Sequence, residues 1–216
     1  LINFESQQSL FESVIRKEGL EINTIFLQNG GINPCDFIEN ASELELDEAL
    51  RLQFKKTLSA HQNNTLTSIP CTTKIKGKRV AILFSGGPAA GGHNVVAGLF
   101  SVLGADNDLF GVKSGPKGLI KGWLELITED QITSIMNTGG FDFLGSDRTK
   151  IKTPDQFESV RQTVKSFNLD GIVVVGGDDS NTNAALLAED LFDLNCVVVG
   201  VPKTIDGDLQ VKHSLP

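Results

Sequence analysis

Cysteine is scarce in this chain of 216 residues. Its three copies, Cys35, Cys71 and Cys196, are too scattered for a CxxC pair. An odd, dispersed set argues against a disulfide framework and against a structural zinc site. Cys196, at the start of an apolar run, reads as a small core residue. Positive charge is also in short supply: 19 Lys and Arg stand against 27 Asp and Glu, a net charge of −8. That balance excludes a broad nucleic-acid or anionic-membrane surface. A few placed cations and backbone N–H groups would still suffice for a phosphate. No apolar run reaches the length of a membrane span and no signal peptide opens the chain, which predicts a reducing, cytoplasmic setting. The glycine-rich stretch Ser85 to Gly92 is neither Gly-x-Gly-x-x-Gly nor a loop ending in Gly-Lys-Ser/Thr.

What the chain does have is a pair of Gly-Asp segments near its end. Gly176-Gly177-Asp178-Asp179-Ser180 follows the run Ile172–Val175, and Pro202-Lys203-Thr204-Ile205-Asp206-Gly207-Asp208 follows Val197–Val199. Short apolar runs without alternation are the pattern of buried parallel strands. Glycines and carboxylates at the carboxyl ends of such strands lie where open α/β sheets bind ligands.

The chain divides near residue 75. Residues 1–75 carry apolar residues at helical spacing in Phe4 to Lys17 and Glu43 to Leu58, broken by Gly30 to Pro34, and are expected to form a helical extension. His61 to Ile69 reads as a polar loop. From Lys78 onward the pattern becomes strand, glycine loop, helix. Strands are expected at Arg79–Phe84, Asp108–Val112, 172–175 and 196–201, with a turn at Ser114 to Gly118. Helices are expected from His93 to Leu103, from Thr128 to Met136, from Thr153 to about Phe167 and over 180–192. Thr128 and Thr153 are placed to cap theirs, and Pro154 occupies a first helical turn. The repeated units predict an α/β fold with a doubly wound, mostly parallel sheet over residues 76–216.

Four loops carry chemistry. Ser85 to Gly92 offers backbone N–H groups before a helix N-terminus, an anion-binding arrangement, although a plain strand-to-helix turn would look the same. His93 reads as a helix-start histidine bonded to backbone rather than a base. Gly139 to Lys150 brings Arg148 and Lys150, and Arg148 is suited to clamp a phosphate; solvated loop charge is the alternative. Asp178 and Asp179 can serve Mg²⁺; the alternative, compatible with it, is that Asp179 or Ser180 caps the helix starting with Asn181. Lys203 can neutralise a transferring phosphoryl group and Asp206 can accept a proton from an attacking hydroxyl, against the alternative of an Asx turn at Asp206-Gly207.

Taken together, Ser85 to Asn94, Thr138-Gly139-Gly140-Phe141, Gly176 to Ala184 and Pro202 to Asp208 resemble the phosphofructokinase family, specifically its pyrophosphate-dependent branch. The N-terminal extension looks like that of the branch's long form. The resemblance implies Mg²⁺-dependent, reversible phosphoryl transfer from pyrophosphate to the 1-hydroxyl of fructose 6-phosphate, a step of glycolysis and gluconeogenesis, in a homo-oligomer. By position, Gly86 and Gly87 would contact pyrophosphate and Asp178 would bind Mg²⁺. Thr204 and Asp206 would contact the sugar phosphate, with Asp206 as base. Asp208 would support that arrangement and Lys203 the transition state. Asp179 stands where ATP-using relatives carry Gly, and a carboxylate there crowds and repels a nucleotide's α-phosphate. Ala90 replaces the family's usual proline. The second sugar-phosphate lobe would lie beyond residue 216, so this chain, which starts on Leu1, is expected to be part of a longer protein.

Competing readings are an ATP-dependent phosphofructokinase, a lipid or NAD kinase with a Gly-Gly-Asp loop, and a non-catalytic regulatory subunit of the same fold. Asp179 and the Pro202 to Asp208 segment speak against the first two. Retention of Asp178, Lys203 and Asp206 speaks against the third.

Overall fold

A computed structural model of the chain describes residues 27–28, 31–32, 35–41, 45–70 and 75–206. The helix expected over Phe4 to Lys17 lies outside them. In the N-terminal region, β1 (Leu27–Gln28) pairs antiparallel with β2 (Gly31–Ile32), and β3 (Cys35–Asn40) pairs antiparallel with β4 (Thr65–Pro70). Two short helices lie between the latter pair, α1 (Glu48–Gln53), capped by Asp47, and α2 (Lys55–His61). The extension is therefore not purely helical, and β4 occupies most of the expected polar loop. The pairing of β3 with β4 joins residues about 25 to 35 positions apart, which local periodicity cannot register.

The remainder runs β5 (Arg79–Ser85), α3 (Gly92–Leu103), β6 (Asp108–Val112), α4 (Gly115–Lys121), β7 (Leu124–Leu126), α5 (Glu129–Ile135), β8 (Ser146–Asp147), α6 (Pro154–Phe167), β9 (Gly171–Gly176), α7 (Asp178–Leu191) and β10 (Val197–Pro202). The sheet order is β10-β9-β5-β6-β7, with β8 pairing the carboxyl end of β5. All pairs are parallel except β6 with β7. The chain thus builds outward from β5 in one direction through β6 and in the other through β9. This reversal between β5 and β9 opens a crevice at the strands' carboxyl ends.

Strand alternation sends side chains to two cores. Ala81, Leu83, Ile172 and Val174 pack with Leu119, Val160, Val164, Ala184, Leu187 and Leu191, under α4, α6 and α7. Ile82, Phe84 and Val175 pack with Val96, Ala97, Ile132 and Ile135, under α3 and α5. The helix signals act as read. Thr128 and Thr153 each close a capping box with the glutamine three residues on, Pro154 sits in the first turn of α6, and Asn168 ends that helix at φ 49°. The expected turn at Ser114 to Gly118 instead opens α4, with Ser114 at φ 59° before it.

At the opposite, amino end of the sheet, Asp170 binds three strands together. Its carboxylate accepts from Lys78 Nζ at 2.8 Å and the Arg79 N–H at 2.9 Å. Its own N–H donates to Arg79 O at 2.8 Å, and its carbonyl accepts from the Val197 N–H at 2.9 Å.

Candidate functional site

The loops after β5, β8, β9 and β10 enclose a cleft of about 410 Å³ at the crevice between β5 and β9. Ser85, Gly86 and Gly87 line it from the first loop, and Arg148, Thr149 and Lys150 from the second. Gly177 to Ser180 with Asn183 supply the α7 side, and Lys203 the end of β10.

Each wall has a local cause. The chain leaves β5 through Gly86 at φ +88°, a left-handed conformation that a side chain would strain. The Gly86 N–H donates to Asp147 O at 2.9 Å, which ties the first loop to the second. The Asp147 carboxyl in turn accepts the Thr149 N–H at 2.7 Å. Burial pushes that carboxyl up, but hydrogen bonds from Thr149, Lys117 and Arg148 outweigh it and hold it below its ordinary range. Gly176 is required by contact: a Cβ there would meet the Ser180 Cβ and stand 2.8 Å from Ser85 O. The buried hydroxyls of Ser180 and Ser85 lie 2.8 Å apart, Ser180 donating.

Helix α7 begins directly after Gly177 with no side-chain cap, so its first-turn N–H groups keep no capping partner. This removes the alternative that Asp179 or Ser180 caps a helix starting at Asn181: both lie inside the first turn of α7, beside Asp178. Asn181 turns back instead, donating to Gly176 O and Gly177 O at 2.8 Å each. The exposed Asp179 carboxylate meets Lys150 Nζ at 2.6 Å. Among the described residues, neither Asp178 nor Arg148 nor Lys203 forms an ion pair. Also among the described residues, no group of three or more His, Cys, Asp or Glu could hold a metal ion.

The residues singled out in the sequence separate into two sets. Gly86, Gly87, Arg148, Asp178, Asp179 and Lys203 share the cleft. Thr204 and the exposed Asp206 follow immediately but do not line it, and Asp208 lies outside the described residues. The Asp206 N–H donates to Thr204 Oγ1 at 3.0 Å, while the Asx turn considered at Asp206-Gly207 lies outside the described residues. Lys150 and Asn183 line the cleft without having been assigned to it. Asn183 falls within Gly176 to Ala184, one of the segments that carry the family resemblance. Nothing in the sequence joined Lys150 to Asp179.

Three further features are structural. Thr138 to Phe141 anchors the start of α3: the Gly91 N–H donates to Gly139 O at 2.6 Å and the His93 N–H to Gly140 O at 2.9 Å. Phe141 stacks on Phe84 at 4.1 Å. His93 is buried with both ring nitrogens engaged, Nδ1 to Thr138 Oγ1 at 2.6 Å and Nε2 accepting the Phe143 N–H at 3.2 Å. Burial holds its pKa below the ordinary value, against the opposing pull of Asp142. Buried Cys196 is inert, its thiol pushed up to about 12 by burial and then by Asp170.

The phosphofructokinase family profile matches residues 79–214. The chain is 47% identical over 176 residues to the pyrophosphate–fructose 6-phosphate 1-phosphotransferase of Treponema pallidum, covering 76% of this chain and 31% of that protein. It is 52% identical over 140 residues to the Entamoeba histolytica protein of the same name, covering 62% of this chain and 26% of that one. Over 140 residues it is also 47% identical to a plant relative, the beta subunit from Solanum tuberosum, covering 62% of this chain and 25% of that subunit. The chain therefore spans about a quarter to a third of the length of these curated relatives. In fold it is similar to the pyrophosphate-dependent phosphofructokinase of Nitrosospira multiformis, with a TM-score of 0.54 at 21% identity over 62% of this chain and 35% of that one.

Proposed function

This chain belongs to the phosphofructokinase family, and on that premise we propose that the intact protein transfers a phosphoryl group from pyrophosphate to the 1-hydroxyl of fructose 6-phosphate, reversibly and with Mg²⁺. The observation that carries the donor assignment is Asp179. Its carboxylate lines the cleft beside Gly177 and Asp178, paired with Lys150. A nucleotide entering there would press its α-phosphate directly against the Asp179 carboxylate, a close contact that pyrophosphate, being shorter, does not make.

In this reading the donor lies against Gly86, Gly87 and Arg148, where the Gly87 backbone and a guanidinium offset its charge and the Gly86 N–H, bonded to Asp147 O, fixes the loop. The free carboxylate of Asp178 fits Mg²⁺, which binds through one or two carboxylates together with substrate phosphates and water. When bound, the ion screens phosphate charge. Lys203 neutralises charge developing on the phosphoryl group. Its N–H donates to Gly176 O at 3.0 Å, which ties the end of β10 to the segment leading into the two aspartates. Asp206 accepts the hydroxyl proton and, with Thr204, contacts the sugar phosphate, while Asp208 supports the metal and base arrangement. Residues 76–216 form the donor-binding domain and residues 1–75 an extension docked on it. A homo-oligomer in a reducing cytoplasm belongs to the same proposal. The scattered cysteines support the reducing setting; no described helix is long and apolar enough to cross a membrane.

A steady-state assay of the intact protein with fructose 6-phosphate, pyrophosphate against ATP, tests the reading. Transfer from pyrophosphate is expected, with Asp179→Gly lowering its use and admitting ATP. Transfer from ATP alone, or an unchanged donor preference in the variant, overturns the donor assignment. Activity with neither donor overturns the catalytic reading in favour of a regulatory chain.

A further inference from the structure

The ion pair between Lys150 and Asp179 joins two walls of the cleft, the loop after β8 and the first turn of α7. An ordinary exposed pair of this kind contributes little, because two long side chains must be held together in water. Here the segment carrying Lys150 is already held on both sides. Before it, the Thr149 N–H donates to the Asp147 carboxylate at 2.7 Å. After it, the Ile151 N–H donates to Asn183 Oδ1 at 3.0 Å and Ile151 O accepts from Asn183 Nδ2 at 2.8 Å. The Ile151 side chain is buried. Asn183 stands four residues after Asp179, on the same face of α7. Lys150 therefore reaches its partner from a backbone fixed to that helix face, and only the lysine stem remains to be ordered.

The charges around the cleft give this pair a task. An anionic donor must enter past two adjacent carboxylates, Asp178 and Asp179, and among the described residues only Asp179 has a cation on it. Left alone, the Asp179 carboxylate would both repel the donor and be free to rotate away from the cleft. Paired with Lys150, it stays at the cleft wall with its charge offset. We propose that Lys150 is a positioning and specificity residue, which holds Asp179 as the wall that bounds the donor subsite and lowers its repulsion toward pyrophosphate. This rests on the donor assignment above, which gave Lys150 no role.

The test uses the intact protein and imidodiphosphate, a non-transferable pyrophosphate analogue, with binding read by calorimetry alongside steady-state kinetics. Lys150→Met is expected to weaken imidodiphosphate about tenfold and to raise KM for pyrophosphate more than it lowers kcat. Lys150→Arg is expected to restore most of the affinity. In an Asp179→Asn background, Lys150→Met should cost less than about threefold, because the coupling passes through the aspartate. Unchanged imidodiphosphate affinity in Lys150→Met overturns the proposal. A full tenfold loss in the Asp179→Asn background overturns it too, since Lys150 would then meet the phosphate directly. A wild type that binds imidodiphosphate and transfers only from ATP refutes the donor assignment instead, and the binding series still reports on the ion pair.

Discussion

Gly86 and Gly87 are neighbours in one loop with opposite structural demands. Gly86 holds φ at +88°, where a side chain strains the backbone. Gly87 has no such conformation, and a Cβ there would meet only the tip of Arg148, at 3.3 Å from Nη2. Gly86→Ala is therefore expected to destabilise the protein by about 1–2 kcal/mol. Gly87→Ala should leave the denaturation midpoint almost unmoved and act on donor affinity through a displaced guanidinium. Urea unfolding of the two variants separates the cases; equal midpoints would show that the loop tolerates a side chain at Gly86. His93 makes a second residue-scale case. The Thr138 hydroxyl donates to Ile135 O at 2.6 Å, so it must accept from Nδ1–H, and Nε2 accepts the Phe143 N–H. The ring is thereby held neutral with no lone pair free to act as a base.

Among the elements, α2 depends on a partner from another part of the chain. Phe54 gives it no side-chain cap. Instead Glu189 of α7 accepts the Lys56 N–H at 2.8 Å and the Thr57 N–H and hydroxyl at 2.9 Å each. Burial pushes the Glu189 carboxyl up, but these donors outweigh it and hold it below its ordinary range. Glu189→Ala is expected to cost about 1 kcal/mol locally and to release α1 and α2 before the sheet. Hydrogen exchange should then quicken over residues 48–61 while β5 and β9 keep their protection; uniform loss of protection would mean that extension and sheet unfold as one unit. The fixed segment of Lys150 has the same construction, with a helix side chain, Asn183, satisfying a loop's backbone.

For the whole molecule, the shifted groups set the acid response. His93 is held neutral in the fold, so the unfolded chain binds the extra proton, and stability falls as pH drops below the ordinary histidine value of about 6.5. Asp147, Asp170, Glu189 and Asp193 all sit below their ordinary values. Their contribution is complete above about pH 4, where unfolded carboxylates titrate, and is lost as pH falls through the lower folded values. Melting temperature is expected to decline in two stages, and a His93→Gln variant should lose the upper stage only; a single stage near pH 4 in the wild type would show that His93 titrates normally in the fold. Much of this architecture was legible in local pattern. The strands, the capped α5 and α6 and the glycine loops follow from apolar runs, capping residues and chain-bending glycines, whose physics acts within a few residues. The extension's two strand pairs and the antiparallel β7 were not legible, because strand pairing depends on partners elsewhere. In the site, residue type marked Gly86, Gly87, Arg148, Asp178, Asp179 and Lys203 as suited to phosphate and metal chemistry. Only folding brought Lys150 to Asp179, seated Asn183 against Ile151 and left α7 uncapped, because those contacts join loops whose separation along the chain carries no periodic signal.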